Sequence, residues 1–120
     1  MSIKTGILSC ILLTSAPCLA RAVETIACAD QNADWKVDFS LDGKYVSNLK
    51  FTLRDQLMAS FPVMTAQVSH FGRRYHYELK FDQQSYFSFD RRNNNPTFAG
   101  SFLLTQDPIG LETNVICNAH

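Results

Sequence analysis

Hydrophobic and polar residues alternate with a period of two along most of this chain, the signature of half-buried β-strands. Trp35, Val37, Phe39 and Leu41 interleave with Lys36, Asp38, Ser40 and Asp42, so one face is apolar and the other polar. Asp42-Gly43 follows as a two-residue hairpin signal in which both turn positions ask for positive φ. Leu49, Phe51 and Leu53 form the inward set of the returning strand. Asp55 to Ser60 reads as a short helical turn or loop, and Phe61-Pro62 ends any helix there. A further strand runs over 63–71 as far as Gly72. The clearest alternation spans Arg73 to Asp82, with Tyr75, Tyr77, Leu79 and Phe81 on one face and Arg74, His76, Glu78 and Lys80 on the other. A turn at 82–85 leads to a strand over 86–90 with Phe87 and Phe89 inward. The polar, proline-terminated run Arg91 to Pro96 predicts a loop. Thr97 to Thr105 alternates again, with Gly100 among Phe98, Phe102 and Leu104 marking a bend or a close backbone approach. A turn at 106–110 precedes the last strand, Glu112 to Cys117. With Glu24 to Ala29 at the front, about eight strands in tight succession predict an all-β fold. The architecture expected is a small antiparallel up-and-down β-barrel, with a two-sheet β-sandwich as the alternative.

Residues 1–22 break this pattern. Lys4, an uncharged apolar run from Gly6 to about Leu13 and the small-residue end Ala20-Arg21-Ala22 read as a signal peptide cleaved after Ala22. The run falls well short of the roughly 20 residues that span a bilayer, so no stable membrane insertion is expected. The expected product is a single all-β domain of residues 23–120, soluble and periplasmic or secreted. Losing Lys4 and Arg21 from the eleven basic residues leaves nine against eleven acidic, a formal charge of −2 in place of zero. No strong electrostatic footprint exists for a nucleic acid, which excludes that partner.

The same cut changes the cysteine arithmetic. Of four cysteines, Cys10 and Cys18 leave with the leader, and Cys28 and Cys117 remain to pair in an oxidising compartment. They stand in the first and last strands, which a closed barrel makes neighbours.

Candidate chemistry is sparse. No G-x-S-x-G elbow, no Gly-rich phosphate loop and no free cysteine is left, so the expectation is a protein that is not an enzyme and carries no cofactor. His70, His76 and Glu78 could meet across Gly72 as metal ligands, but a solvated polar face explains them more simply and no metal site is assigned. The basic pairs Arg73-Arg74 and Arg91-Arg92 carry the binding hypothesis. A hairpin between Arg73 and Asp90 would bring all four to one end of the barrel, where guanidinium groups suit an anion or an acidic protein. The expected binding residues are therefore Gly72, Arg73, Arg74, Tyr75, Arg91 and Arg92, on an exported, non-catalytic binding module whose oligomeric state the pattern leaves open. The fourteen aromatic residues, all after residue 22, fit either a filled core or a cavity for one small hydrophobic ligand, which makes a carrier an alternative function.

The segment Phe71-Gly72-Arg73-Arg74-Tyr75 resembles the G-x-x-Y part of the loop motif of the periplasmic C-type lysozyme inhibitors. That family normally has Ser before the Gly, where this chain has Phe71. Its members are small, disulfide-bearing β-barrels exported by bacteria. The resemblance implies a further alternative: a periplasmic inhibitor of a lysozyme-like hydrolase.

Overall fold

The computed structural model describes residues 23–105 and 112–120, so the expected leader and the expected 106–110 turn lie outside the described residues. The alternating segments become strands of one antiparallel sheet. They are β1 (Glu24–Ala29), β2 (Trp35–Asp42), β3 (Tyr45–Leu53), β4 (Gln56–Thr65), β5 (Gln67–Phe71), β6 (Arg74–Lys80), β7 (Tyr86–Arg92), β8 (Thr97–Leu103) and β9 (Thr113–Ala119). Their order across the sheet is β4-β3-β2-β1-β9-β8-β7-β6-β5.

That order explains the curl. β4 and β5 are the two edges of the sheet, yet only Ala66 separates them in the chain. The sheet must therefore roll until its edges meet, giving a half-barrel completed by the covalent chain instead of by a ladder. Side chains close the remaining seam, since Phe61 of β4 stacks on Phe81 just after β6 with ring centroids 4.3 Å apart. The residues from Gln56 to Phe71 thus act as one long strand, paired with β3 in its first part and with β6 in its second. Eight excursions of the chain make nine strands, close to the eight expected from the pattern.

The inward rows fill the interior. Phe51 is fully buried and lies 5.0 Å from Phe102, 5.7 Å from Phe81 and 5.8 Å from Phe87, centroid to centroid. Trp35, Phe39, Phe87, Phe89 and Phe98 continue the cluster around it. Gly100 is required by this packing. A Cβ there would stand 2.9 Å from the Ser88 carbonyl oxygen, so the close approach anticipated from its aromatic neighbours is what the chain adopts.

Three local expectations are corrected. The β2–β3 turn is centred on Gly43 and Lys44, with Asp42 closing the ladder against Tyr45, and of the two central residues only Gly43 has positive φ. Asp55 to Ser60 is neither helix nor loop. Arg54 and Asp55 both take positive φ in a two-residue turn and β4 starts at Gln56, a choice that tertiary pairing imposed without a glycine to announce it. Arg91 and Arg92 belong to β7 and not to a loop, because Tyr75 and Arg74 pair with them across the ladder.

Cys28 and Cys117 face each other in the β1–β9 ladder and form a disulfide, and no free cysteine occurs among the described residues.

Candidate binding surface

The polar end of the barrel carries the β5–β6 hairpin, in which β6 pairs with β7 along its whole length and β5 forms the edge of the sheet. β5 is exposed at every residue, and β6 joins it through Gly72 and Arg73, with Phe71 closing the ladder against Arg74. Gly72 has φ +62° and Arg73 does not, the arrangement of a type II′ turn with glycine at its first central position. The turn sends Arg73 out at the apex. In the next ladder Arg74 lies opposite Arg92, so Phe71, Arg74 and Arg92 form one row on the outer face.

This row is unusual in its charge. Arg74 and Arg92 are exposed like charges directly opposite each other, a pairing that ordinarily destabilises a sheet. Among the described residues no carboxylate pairs with Arg73, Arg74 or Arg92. Asp90, two residues before Arg92 on the same face, is held by His76, whose Nδ1 lies 2.7 Å from its Oδ1. Phe71 is 68% exposed beside them. Phe71, Arg73, Arg74 and Arg92 line an open depression of about 380 Å³.

Arg91 leaves the expected set. Neighbouring residues on a strand point to opposite faces, so Arg91 turns inward where Arg92 turns out, and it is 3% exposed. Its Nη1 and Nη2 donate to the two carboxylate oxygens of Glu24 at 2.6 and 2.7 Å. Its Nε donates to the Asn95 carbonyl, and the guanidinium lies 5.0 Å over the Phe98 ring. The four-arginine patch is therefore three arginines and a structural ion pair. Tyr75 is also turned from the row, stacking on His70 with centroids 4.6 Å apart. His70 and His76 occupy opposite faces of the hairpin, and no group of three metal-ligating side chains occurs among the described residues.

Two contributors were missed by sequence reasoning. Phe71 sits in the strand pattern as an ordinary apolar residue, and its place on the outer face of the edge strand β5 exposes it. Glu24 opens the first strand 67 residues before Arg91, and nothing local links them. Beside their ion pair lies a second depression of about 450 Å³, lined by Glu24, Leu41, Gly43, Tyr77, Arg91, Asn93 and Asn94. Burial pushes the Tyr77 phenol above its ordinary pKa.

The hydrogen bonds from Arg91 hold the Glu24 carboxyl below its ordinary pKa, against the opposing effect of burial. A lowered folded-state pKa contributes stability that is complete above the unfolded carboxylate value of about 4.3 and is lost as pH falls through the folded value. Glu24→Gln should destabilise by about 2–3 kcal/mol at pH 7, below the full cost of stranding a buried charge because Glu24 is partly exposed. The gap between wild type and variant should then narrow as pH falls below about 4. Denaturant midpoints measured from pH 7 to acid check both the loss and its pH window.

No protein-family model, no curated protein and no solved structure matches the chain.

Proposed function

We propose that this protein is an exported, non-catalytic binding module that engages an acidic partner protein through the barrel end carrying Phe71, Arg73, Arg74 and Arg92. The observation that carries the reading is the Arg74–Arg92 pair: two guanidinium groups set opposite each other, paired with no carboxylate among the described residues, beside an exposed phenylalanine. An acidic ligand would relieve their repulsion and accept charge-assisted hydrogen bonds from both, while Phe71 supplies apolar contact. Side chains around Phe51 occupy the barrel interior, which gives a surface site precedence over an interior carrier site.

The test is binding to an immobilised poly-glutamate peptide. Replacing Arg73, Arg74 and Arg92 together by alanine should weaken binding about 100-fold, at roughly 1 kcal/mol per guanidinium, with wild-type binding falling as salt rises. Stability should move by no more than about 0.5 kcal/mol, because these side chains are exposed. Equal binding by the variant would reject the site.

The shape of the hairpin favours one specific form of this reading, an inhibitor of a lysozyme-like hydrolase. The type II′ turn sets Arg73 at the tip of the β5–β6 hairpin, beside Arg74 and Arg92, and hydrolases of that class act through paired carboxylates in a cleft. Inhibition of a C-type lysozyme by micromolar protein, lost on Arg73→Ala, would support it; no inhibition would remove it.

A further inference from the structure

We propose that the free edge of β5 pairs with the same edge of a second copy of this chain, antiparallel and centred on Ser69. β5 uses only about half of its backbone groups in its ladder with β6. The Asn93 amide donates to the Arg73 carbonyl across the β6–β7 side, so residue 73 faces β7. Hydrogen-bonding direction alternates along an antiparallel strand, and the residues of β6 that face β5 are therefore Arg74, His76 and Glu78. Their partners Phe71, Ser69 and Gln67 direct their amides and carbonyls into the β5–β6 ladder. Val68 and His70 direct theirs away from it, and among the described residues no other strand pairs with β5.

At five residues β5 is short, but it lacks the other devices that ordinarily prevent association. Natural edges carry lysine, proline, a bulge or an inward charge. The other edge of the sheet has two of these, Pro62 and a bulge at Met58, where the register skips between Phe51 and Thr52. Gln67 to Phe71 has none and holds no Asp, Glu, Lys or Arg.

The edge is also complementary to itself. A two-fold axis through Ser69 sets Val68 opposite His70 of the second copy, and His70 opposite its Val68. Both are hydrogen-bonding positions, so four backbone bonds form, while Ser69 meets Ser69 at a non-hydrogen-bonded site. No like charges fall opposite one another. Val68, 38% exposed, and Phe71 gain cover from His70 and Gln67 of the second copy. Five residues per copy bury much less than the roughly 1,200 Å² of a stable complex, so the dissociation constant should lie at about 0.1–1 mM. Pairing would continue the sheet through both copies and display two arginine rows on one outer face.

Sedimentation of the purified protein from about 10 μM to about 1 mM, a range that brackets so small an interface, should show reversible dimers. The Val68 and His70 amides should gain exchange protection over the same range. Ser69→Cys should cross-link on mild oxidation. Gln67→Cys in the same background should not, since the axis leaves its two copies about four residues, or roughly 13 Å, apart. Ser69→Lys should abolish dimers by setting like charges opposite each other, without altering the melting temperature by more than a few degrees. The triple arginine variant should dimerise as wild type does, which separates this pairing from the acidic-partner site. Monomers throughout, or cross-linking no faster at 69 than at 67, would overturn the proposal. So would dimers that survive Ser69→Lys, or protection of Val68 and His70 only when a foreign extended peptide is added.

Discussion

Replacing Cys28 and Cys117 together by serine is expected to cost about 4–5 kcal/mol and to lower the guanidinium midpoint by about 1–2 M, the largest effect of any small change in this protein. The bridge joins residues 89 apart in sequence and so constrains nearly the whole described chain in the unfolded state. Its position adds to this. β1 and β9 meet over a short ladder, Ile26–Ala29 against Ile116–Ala119, and Cys28 and Cys117 are directly opposed within it. For a domain of this size, net stability is typically about 5–15 kcal/mol, so the double variant would keep its fold at low temperature and lose most of its margin. A midpoint shift equivalent to less than about 1 kcal/mol would show that the unfolded chain is already held together elsewhere.

Phe51→Ala should cost about 3–5 kcal/mol and lower the melting temperature by about 15–30 °C. Phe51 has no exposed surface and is in ring contact with Phe61, Phe81, Phe87 and Phe102, which come from both sides of the β4–β6 seam and from the opposite wall. Truncation would remove the ring on which those four converge. Because no ladder joins β4 to β6, the seam depends on such packing more than any hydrogen-bonded strand pair does. Phe71→Ala is the informative control. It removes the same ring from an exposed site, and should change stability by about 0.5 kcal/mol or less while weakening poly-glutamate binding. Equal losses of stability for the two variants would contradict the assignment of core and surface.

Much of the fold was legible because a strand reports its buried face every second residue. Trp35 to Leu41 and Tyr75 to Phe81 place their apolar sets inward as their alternation requires. Where the pattern misled, a backbone conformation was set by distant pairing. Arg54 and Asp55 adopt positive φ with no glycine present, and Arg91 and Arg92 stay in the ladder although their polarity reads as loop. The placement of the candidate arginine surface was half legible. Charge and hairpin position located Arg73, Arg74 and Arg92, but the role of Arg91 depended on the parity of β7 and on Glu24, 67 residues away.

The chain's own alternation, its turn residues and its cysteines determined that this is an antiparallel β protein with its first and last strands bridged. Those are local properties, carried by neighbouring residues or by covalent chemistry. Only the tertiary structure decided that the sheet's edges meet through Ala66, that Phe71 on the edge strand β5 lies exposed beside Arg74, and that Arg91 is buried against Glu24 while Arg92 stays at the surface. The physical reason is that curl, exposure at an edge and the choice of buried partner depend on side chains far apart in sequence, which no periodicity records.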